Sequence, residues 1–477
     1  MRRFSASFQL DKSQGELDFV DIPIGSDLPI FIDPFAIALR PDRWSQRAHA
    51  TLISFFERVI AAIRNDDAET ALELLGHFRE PNETRLGLSR RRPRGRGIGH
   101  LQSRELFDAL GASSAVRTGL LSSLEECELL VEGIGRDKIS DLTTNVIRAH
   151  LAEYTHDQCN LLGIPTREVS LGPHYSADTG QWESGYFMLP VIRNKAFLLV
   201  PKAIVRFDPA YNHQRYYRQV VLSFLQAEHL NANSSLVRTL KNGRRVVRKK
   251  DVQASFPCTK ENLFRFSQQH PEALHRYRDR LVGLEQQGPT SLVDAEDEEL
   301  IAEALGQALS SIPTGNVNAT SYHQIMVGIV EFIFFPNLLY PRKEREIHQG
   351  RKRIDILMEN GASTGIFLRL HQNRGLPCSF VAFECKNYVT DVANPELDQL
   401  SGRFSPNRGK IGFLCCRRFE DRRLFVERCR DTFRDARGLV VPLDDDTIRK
   451  FLDLIGEGRR KQIDDEVASL IDEVWVS

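Results

Sequence analysis

The sequence predicts a mixed α/β protein with more than one hydrophobic core, its last third forming an α/β domain around one small sheet. Three observations carry that expectation. The chain has 477 residues, too many for one ordinary core, so two or three domains are expected. From Tyr322 onward, apolar helical spacing alternates with short strand-like runs, an order that wraps helices around a sheet. Upstream, helical stretches flank one region of strand-like alternation. The expected organisation is a larger mixed α/β module over residues 1–284, a linker over 285–315 and a C-terminal α/β domain over 316–477.

Taken in order, residues 17–37 read as extended pieces broken by turns, since Pro23 and Pro29 cannot donate within a central strand. Residues 47–77 carry helical spacing through Leu52, Phe55, Phe56, Val59, Ile60 and Ile63. The run 85–99, rich in Arg, Gly and Pro, reads as a loop, and a mostly helical stretch follows to Leu162. Alternation with Gly and Asn turns predicts strands within 168–206. Helical patterns return at 210–230 and 262–284, and a short helix at 298–310 precedes Pro313. In the C-terminal part an apolar helix, Tyr322–Phe335, is followed by strand-like Arg351–Met358 and Phe380–Tyr388. A helix from Pro395 and a strand Gly409–Cys416 come next. A charged helix at 420–436, a strand ending in Asp444-Asp445-Asp446 and a final helical region complete the chain, Asp444–Asp446 ending that strand and capping the next helix.

Hydrophobic residues make up 41% and charged residues 27% of the chain, a globular composition. Apolar runs such as Ile329–Phe335 are far too short to cross a bilayer. The N-terminus lacks the apolar core of a signal peptide, so a cytoplasmic location and no membrane partner are expected. The eight cysteines are scattered without a C-x-x-C pair, which speaks against a zinc ribbon or redox motif and for buried reduced thiols. The formal net charge is zero, so a nucleic-acid partner would depend on local clusters. Two basic runs qualify: Arg90, Arg91, Arg92, Arg94 and Arg96, and Lys241–Arg245 continuing to Arg248–Lys250. Each could neutralise several phosphates, or be a solvated loop.

Strand side chains alternate between faces. In the first polar-bearing strand Asp355 shares a face with Arg353 and Leu357, opposite Ile354, Ile356 and Met358. In the second, Glu384 and Lys386 lie side by side opposite Val381, Phe383 and Cys385. If the strands pair, Asp355 and Glu384 can bind one divalent cation. Phosphodiester hydrolysis needs such a set: two carboxylates hold Mg²⁺ and leave room for water and phosphate oxygens. The cation polarises the phosphate and acidifies a bound water, while a nearby lysine orients that water and stabilises developing negative charge. The backbone carbonyl of Cys385 could add a further oxygen ligand. Glu331 is the one acid in the apolar helix, and burying it requires a partner.

Asp355…Glu384-Cys385-Lys386 resembles the PD-(D/E)xK signature of restriction-endonuclease-like nucleases. Glu331 resembles the extra helical acid many of them carry. Asn394-Pro395-Glu396-Leu397-Asp398-Gln399-Leu400 resembles their downstream helix, with Gln399 at the position of a polar residue close to the site. Ile354 stands where the signature has proline, and a turn-rich insert separates Asp355 from Glu384, leaving their adjacency open. The resemblance covers residues 316–477. It implies a restriction-endonuclease-like domain acting as an Mg²⁺-dependent DNA endonuclease, with Mn²⁺ able to substitute. Asp355 and Glu384 would hold metal, Lys386 act on the water, and Glu331 assist a metal or position Lys386. Gln399 and Arg403 would support the site or touch the phosphate. The layout, a nuclease domain fused to a long unrelated module, is similar to that of restriction and phage-defence effectors. Two alternatives stay open: a non-catalytic DNA-binding or scaffold protein with an idle site, and a repair or junction-cleaving nuclease. DNA versus RNA also stays open, as does a homo-oligomer or partner protein engaged through the N-terminal module.

Other polar groups read more simply. Ser140 or Asp141 is expected to cap a helix Leu142–Tyr154, with a second acidic site at Asp137 and Asp141 as the alternative. Asp33-Pro34 reads as a turn, and His270 and His275 lack carboxylates at ligand spacing.

Overall fold

A computed structural model describes residues 2–87, 99–242, 244–285, 292, 295–343, 355–372 and 374–475. The architecture is mixed α/β, and among the described residues no helix is long and apolar enough to cross a membrane. All eight cysteines are free thiols, six of them buried.

In the first half, α1 (Arg43–Arg64) buries Leu52, Phe55, Phe56, Val59, Ile60 and Ile63 along one stripe. The helix expected over 47–77 breaks in two. Asp66 takes a left-handed conformation (φ 55°), and the Asp67 carboxylate accepts the Thr70 N–H to start α2 (Ala68–Leu75), so a local cap wins over continuous spacing. Helices α3 (Arg136–Val146) and α4 (Arg148–Leu162) correct the expected cap at 140–141. Ser140 lies inside α3, and its hydroxyl accepts the Ile32 N–H at 2.9 Å. The expected extended pieces near residue 30 reduce to Phe31–Ile32 paired with Val205–Arg206. Asp33 caps the short helix Pro34–Leu39.

A long antiparallel hairpin, β1 (Arg167–Ser176) and β2 (Gln181–Leu189), follows. Next come α5 (Leu222–Asn231), a small hairpin of β3 (Val237–Thr239) and β4 (Arg245–Val247), and α6 (Lys249–Ser255). The pattern at 262–284 forms two helices, α7 (Lys260–Gln269) and α8 (Pro271–Glu285), because Pro271 restarts the chain. The ring of His270 at the junction lies against Phe224 and Phe266.

The second half begins with α9 (Ala295–Ser311) and α10 (Ala319–Phe334). Strands β5 (Leu338–Arg342), β6 (Ile356–Asn360), β7 (Phe380–Lys386), β8 (Ile411–Cys416) and β9 (Leu439–Asp444) form one sheet in the order β9-β8-β7-β6-β5. Strands β7, β8 and β9 are parallel, and β6 runs antiparallel to both β7 and β5. The parallel strands are buried on both faces, with Phe383 stacked on Phe413, as crossover helices require. Helix α11 (Gly365–Gln372) lies in the antiparallel connection from β6 to β7; the crossover helices are α12 (Asn394–Ser401) and α13 (Arg422–Arg434), and α14 (Asp445–Gly456) and α15 (Gln462–Trp475) follow the last strand. The turn-rich insert after Asp355 thus contains a helix, α11. Asp444 ends β9 and caps α14 by accepting the Thr447 N–H.

The buried apolar residues fall into two clusters, one drawn mainly from residues 4–281 and one from 302–474. Ala302, Leu305 and Leu309 of α9 belong to the second, so this helix, assigned to a linker from sequence, packs with the C-terminal core. The division is not clean at β5. Leu339 and Tyr340 join the first cluster, and the Tyr340 ring lies 5.3 Å from Trp44 and 5.8 Å from Tyr154. The N-terminal module therefore covers the sheet edge, removing an exposed template for strand pairing.

Candidate functional site

The antiparallel register pairs Ile356 with Phe383. One residue further along, the same register sets Asp355 opposite Glu384, on neighbouring strands and on one face. The adjacency that the sequence left open is thus present. Asp355 Oδ2 accepts the Cys385 N–H at 2.8 Å, which ties the carboxylate to β7.

Glu384 is 1% exposed and fully surrounded by donors. Its Oε1 receives Lys386 Nζ at 2.8 Å and Gln399 Nε2 at 2.7 Å. Its Oε2 is paired with Arg403. Lys386 also donates to Gln399 Oε1 at 3.1 Å. The amide of Gln399 thus bridges acid and lysine, donating to one and accepting from the other. Gln399 and Arg403 lie four residues apart, Gln399 near the C-terminal end of α12 and Arg403 just beyond it, a spacing that turns both toward β7. Burial and the Asp355 charge push the Glu384 carboxyl up, against the pull of Lys386 and Arg403. Burial disfavours the Lys386 ammonium, but Glu384, Tyr388 and Asp355 outweigh it and raise its pKa.

Two sequence-predicted residues sit elsewhere or act differently. Glu331 makes its ion pair with Lys202 at 3.0 Å, from the N-terminal module, and not with Lys386. Glu331 and Asp18 are both buried beside Lys202, and burial raises the pKa of each carboxyl. Lys202 also lies over the Phe335 ring and donates to the Gly15 carbonyl. The α10 acid thus joins the two cores, a role that long-range packing hides from sequence. Arg403, expected to support the site or touch a phosphate, supports it: it is 6% exposed and bound to Glu384, so it offers no open cation to a nucleic acid. Arg90, Arg91, Arg92, Arg94 and Arg96 lie outside the described residues, as do Arg351 and Arg353.

His323 was not foreseen from the residue pattern. This α10 residue donates from Nε2 to the Asp355 carbonyl at 3.1 Å, and a contact to backbone leaves no residue pattern. Asn387 was also missed. It is buried, its amide donates to the Pro313 and Gly315 carbonyls, and it anchors the segment before α10 to the end of β7. Asp137 and Asp141 do face a common small cavity with Asp27 and Glu80. Burial and these neighbouring acids raise Asp141 to about 8.

Among the described residues no group of three or more His, Cys, Asp or Glu side chains could hold a metal ion. The site offers two carboxylates, which suits a hard cation that keeps waters and takes phosphate oxygens as further ligands. Glu384 already carries Lys386, Gln399 and Arg403, so a cation there would have to displace or share those donors.

Residues 9–212 match the model of a family described only as a domain of unknown function, DUF8370. The match lies within the N-terminal module and includes none of the residues at this site. No curated protein and no solved structure matches the chain.

Proposed function

We propose that the C-terminal domain is a restriction-endonuclease-like, Mg²⁺-dependent DNA endonuclease. The observation that carries this reading is the convergence of Asp355, Glu384 and Lys386 at adjacent strand ends, with Gln399 bridging the last two. The five-stranded mixed sheet with flanking helices supports the same reading. Asp355 and Glu384 would hold the cation, and Mn²⁺ would substitute. Bound there, the cation would supply Lewis-acid polarisation of the phosphate and a more acidic water. Lys386 would orient the attacking water and stabilise charge developing on the phosphate oxygens. Gln399 fixes the Lys386 ammonium and the Glu384 carboxylate in one geometry, limiting the reorganisation required at reaction.

Arg403 favours a second reading. Its guanidinium occupies Glu384 Oε2, leaving that carboxylate already neutralised, as in a DNA-binding or scaffold protein with an idle site. Incubating the protein with supercoiled, linear and single-stranded DNA in Mg²⁺ or EDTA separates the two. The nuclease reading predicts cleavage in Mg²⁺ that EDTA abolishes. Binding without cleavage in Mg²⁺ and Mn²⁺ supports the idle site.

A further inference from the structure

We infer that the β3–β4 hairpin is a nucleic-acid-binding arm that grips the backbone of duplex DNA. Residues 237–250 contain seven cations and no acid in a chain of zero formal net charge. The strands pair Val237 with Val247, Arg238 with Val246 and Thr239 with Arg245. Leu240 donates its N–H to the Arg244 carbonyl at 2.9 Å and closes the tip.

The base of the hairpin is fixed. Gln226 of α5 donates to the Val247 carbonyl at 2.6 Å. Arg245 donates to the Leu230 carbonyl at 3.2 Å and to Asn233 Oδ1 at 2.6 Å. Val247 and Val252 are buried beneath it. The nearest acid in sequence, Asp251, is paired with Arg238 at 3.1 Å. The side chains of Lys241, Arg244, Arg248 and Lys250 are exposed and make no ion pair among the described residues.

Four unneutralised cations on a rigid support form a polyanion site, because holding like charges together in advance lowers the cost of binding phosphates. The geometry favours a duplex. At ~3.3 Å per residue, Arg244 and Arg248 stand ~13 Å apart, close to the ~12 Å width of the major groove, which admits a two-stranded ribbon. Arg244 and Lys241 at the tip can thus meet one strand's phosphates while Arg248 and Lys250 meet the other's. Exposed Leu240 lies at the tip between them.

This inference rests on the proposed function only for DNA as the common ligand, and it is tested without cleavage. Binding of a labelled duplex to the full chain is followed by fluorescence anisotropy in EDTA across salt concentrations. Wild type is compared with a variant carrying Lys241→Ala, Arg244→Ala, Arg248→Ala and Lys250→Ala together. The variant should keep the wild-type melting temperature, since all four side chains are exposed. It should bind at least ~10-fold more weakly at moderate salt, with the slope of log K against log salt shallower by up to roughly 3.6. Equal affinity and slope overturn the assignment, as does wild-type binding to phosphatidylserine vesicles without binding to DNA. A hairpin-dependent binder that never cuts leaves the arm standing and sinks only the nuclease reading. A variant that binds DNA like wild type while the protein cuts does the opposite.

Discussion

At the scale of single residues, the site holds one carboxylate, Glu384, partnered by the protein's own cations and a second, Asp355, tied to the β7 backbone. Glu384 meets Lys386, Gln399 and Arg403, so a divalent cation must compete with Arg403 for Oε2. Arg403→Ala should therefore raise Mn²⁺ or Ca²⁺ affinity by roughly tenfold, ~1.4 kcal/mol, in a calorimetric titration; unchanged affinity would mean that Arg403 does not hold the oxygen a metal uses. That Glu384 and Lys386 share a face was legible in sequence because side chains alternate along a strand, whereas the pairing of their strand with that of Asp355 came only from the sheet register. Gln399 was legible only through the resemblance. The partners of Glu331 and Arg403 were not. Lys202 reaches Glu331 from a distant part of the chain, and whether Arg403 turns inward depends on how α12 packs against β7. An arginine in sequence carries no mark that separates a buried ion pair from an open contact to phosphate.

At the scale of elements, close approach of β7 to the turn before β8 depends on Gly409. It has φ 104°, and a Cβ there would collide with the Phe380 carbonyl oxygen. Backbone cannot yield as a flexible side chain does, so Gly409→Ala should cost at least ~2 kcal/mol in denaturant unfolding. A variant as stable as wild type would show that the turn relaxes without strain. The β-α alternation of the C-terminal domain was readable because buried parallel strands appear as short continuous apolar runs, as Ile411–Cys416 does. The first half was harder. Helical spacing continued through Asn65–Asp67, but Asp67 imposes a cap there. The helix in the insert after Asp355 was hidden by the turn residues that bound it.

At the scale of the molecule, a buried cluster joins the two cores: Asp18 and Lys202 from one, Glu331 from the other. Both carboxylates are buried beside Lys202, and burial favours a proton held in the native cluster over one released. Burial raises Glu331 to about 8. A carboxyl with a raised folded-state pKa contributes stability that is present below its unfolded value and lost as pH rises through the folded one. Asp141, at about 8, and Glu125, at about 7, act in the same sense, so the comparison must be with Glu331→Gln. Wild type should lose on the order of 2–4 kcal/mol more than this variant as pH rises from the ordinary carboxylate range to about 8; parallel unfolding curves for the two would remove the shared proton from the account. Hydrolysis at the paired strands is the function proposed for this domain. Single-turnover cleavage of duplex DNA in Mg²⁺, with wild type and Lys386→Ala compared at saturating protein, tests it most directly. The predicted result is a cleavage rate ~10²-fold or more lower in the variant, with DNA affinity within a few-fold of wild type. Equal rates for the two proteins, or cleavage that persists in EDTA, would contradict it.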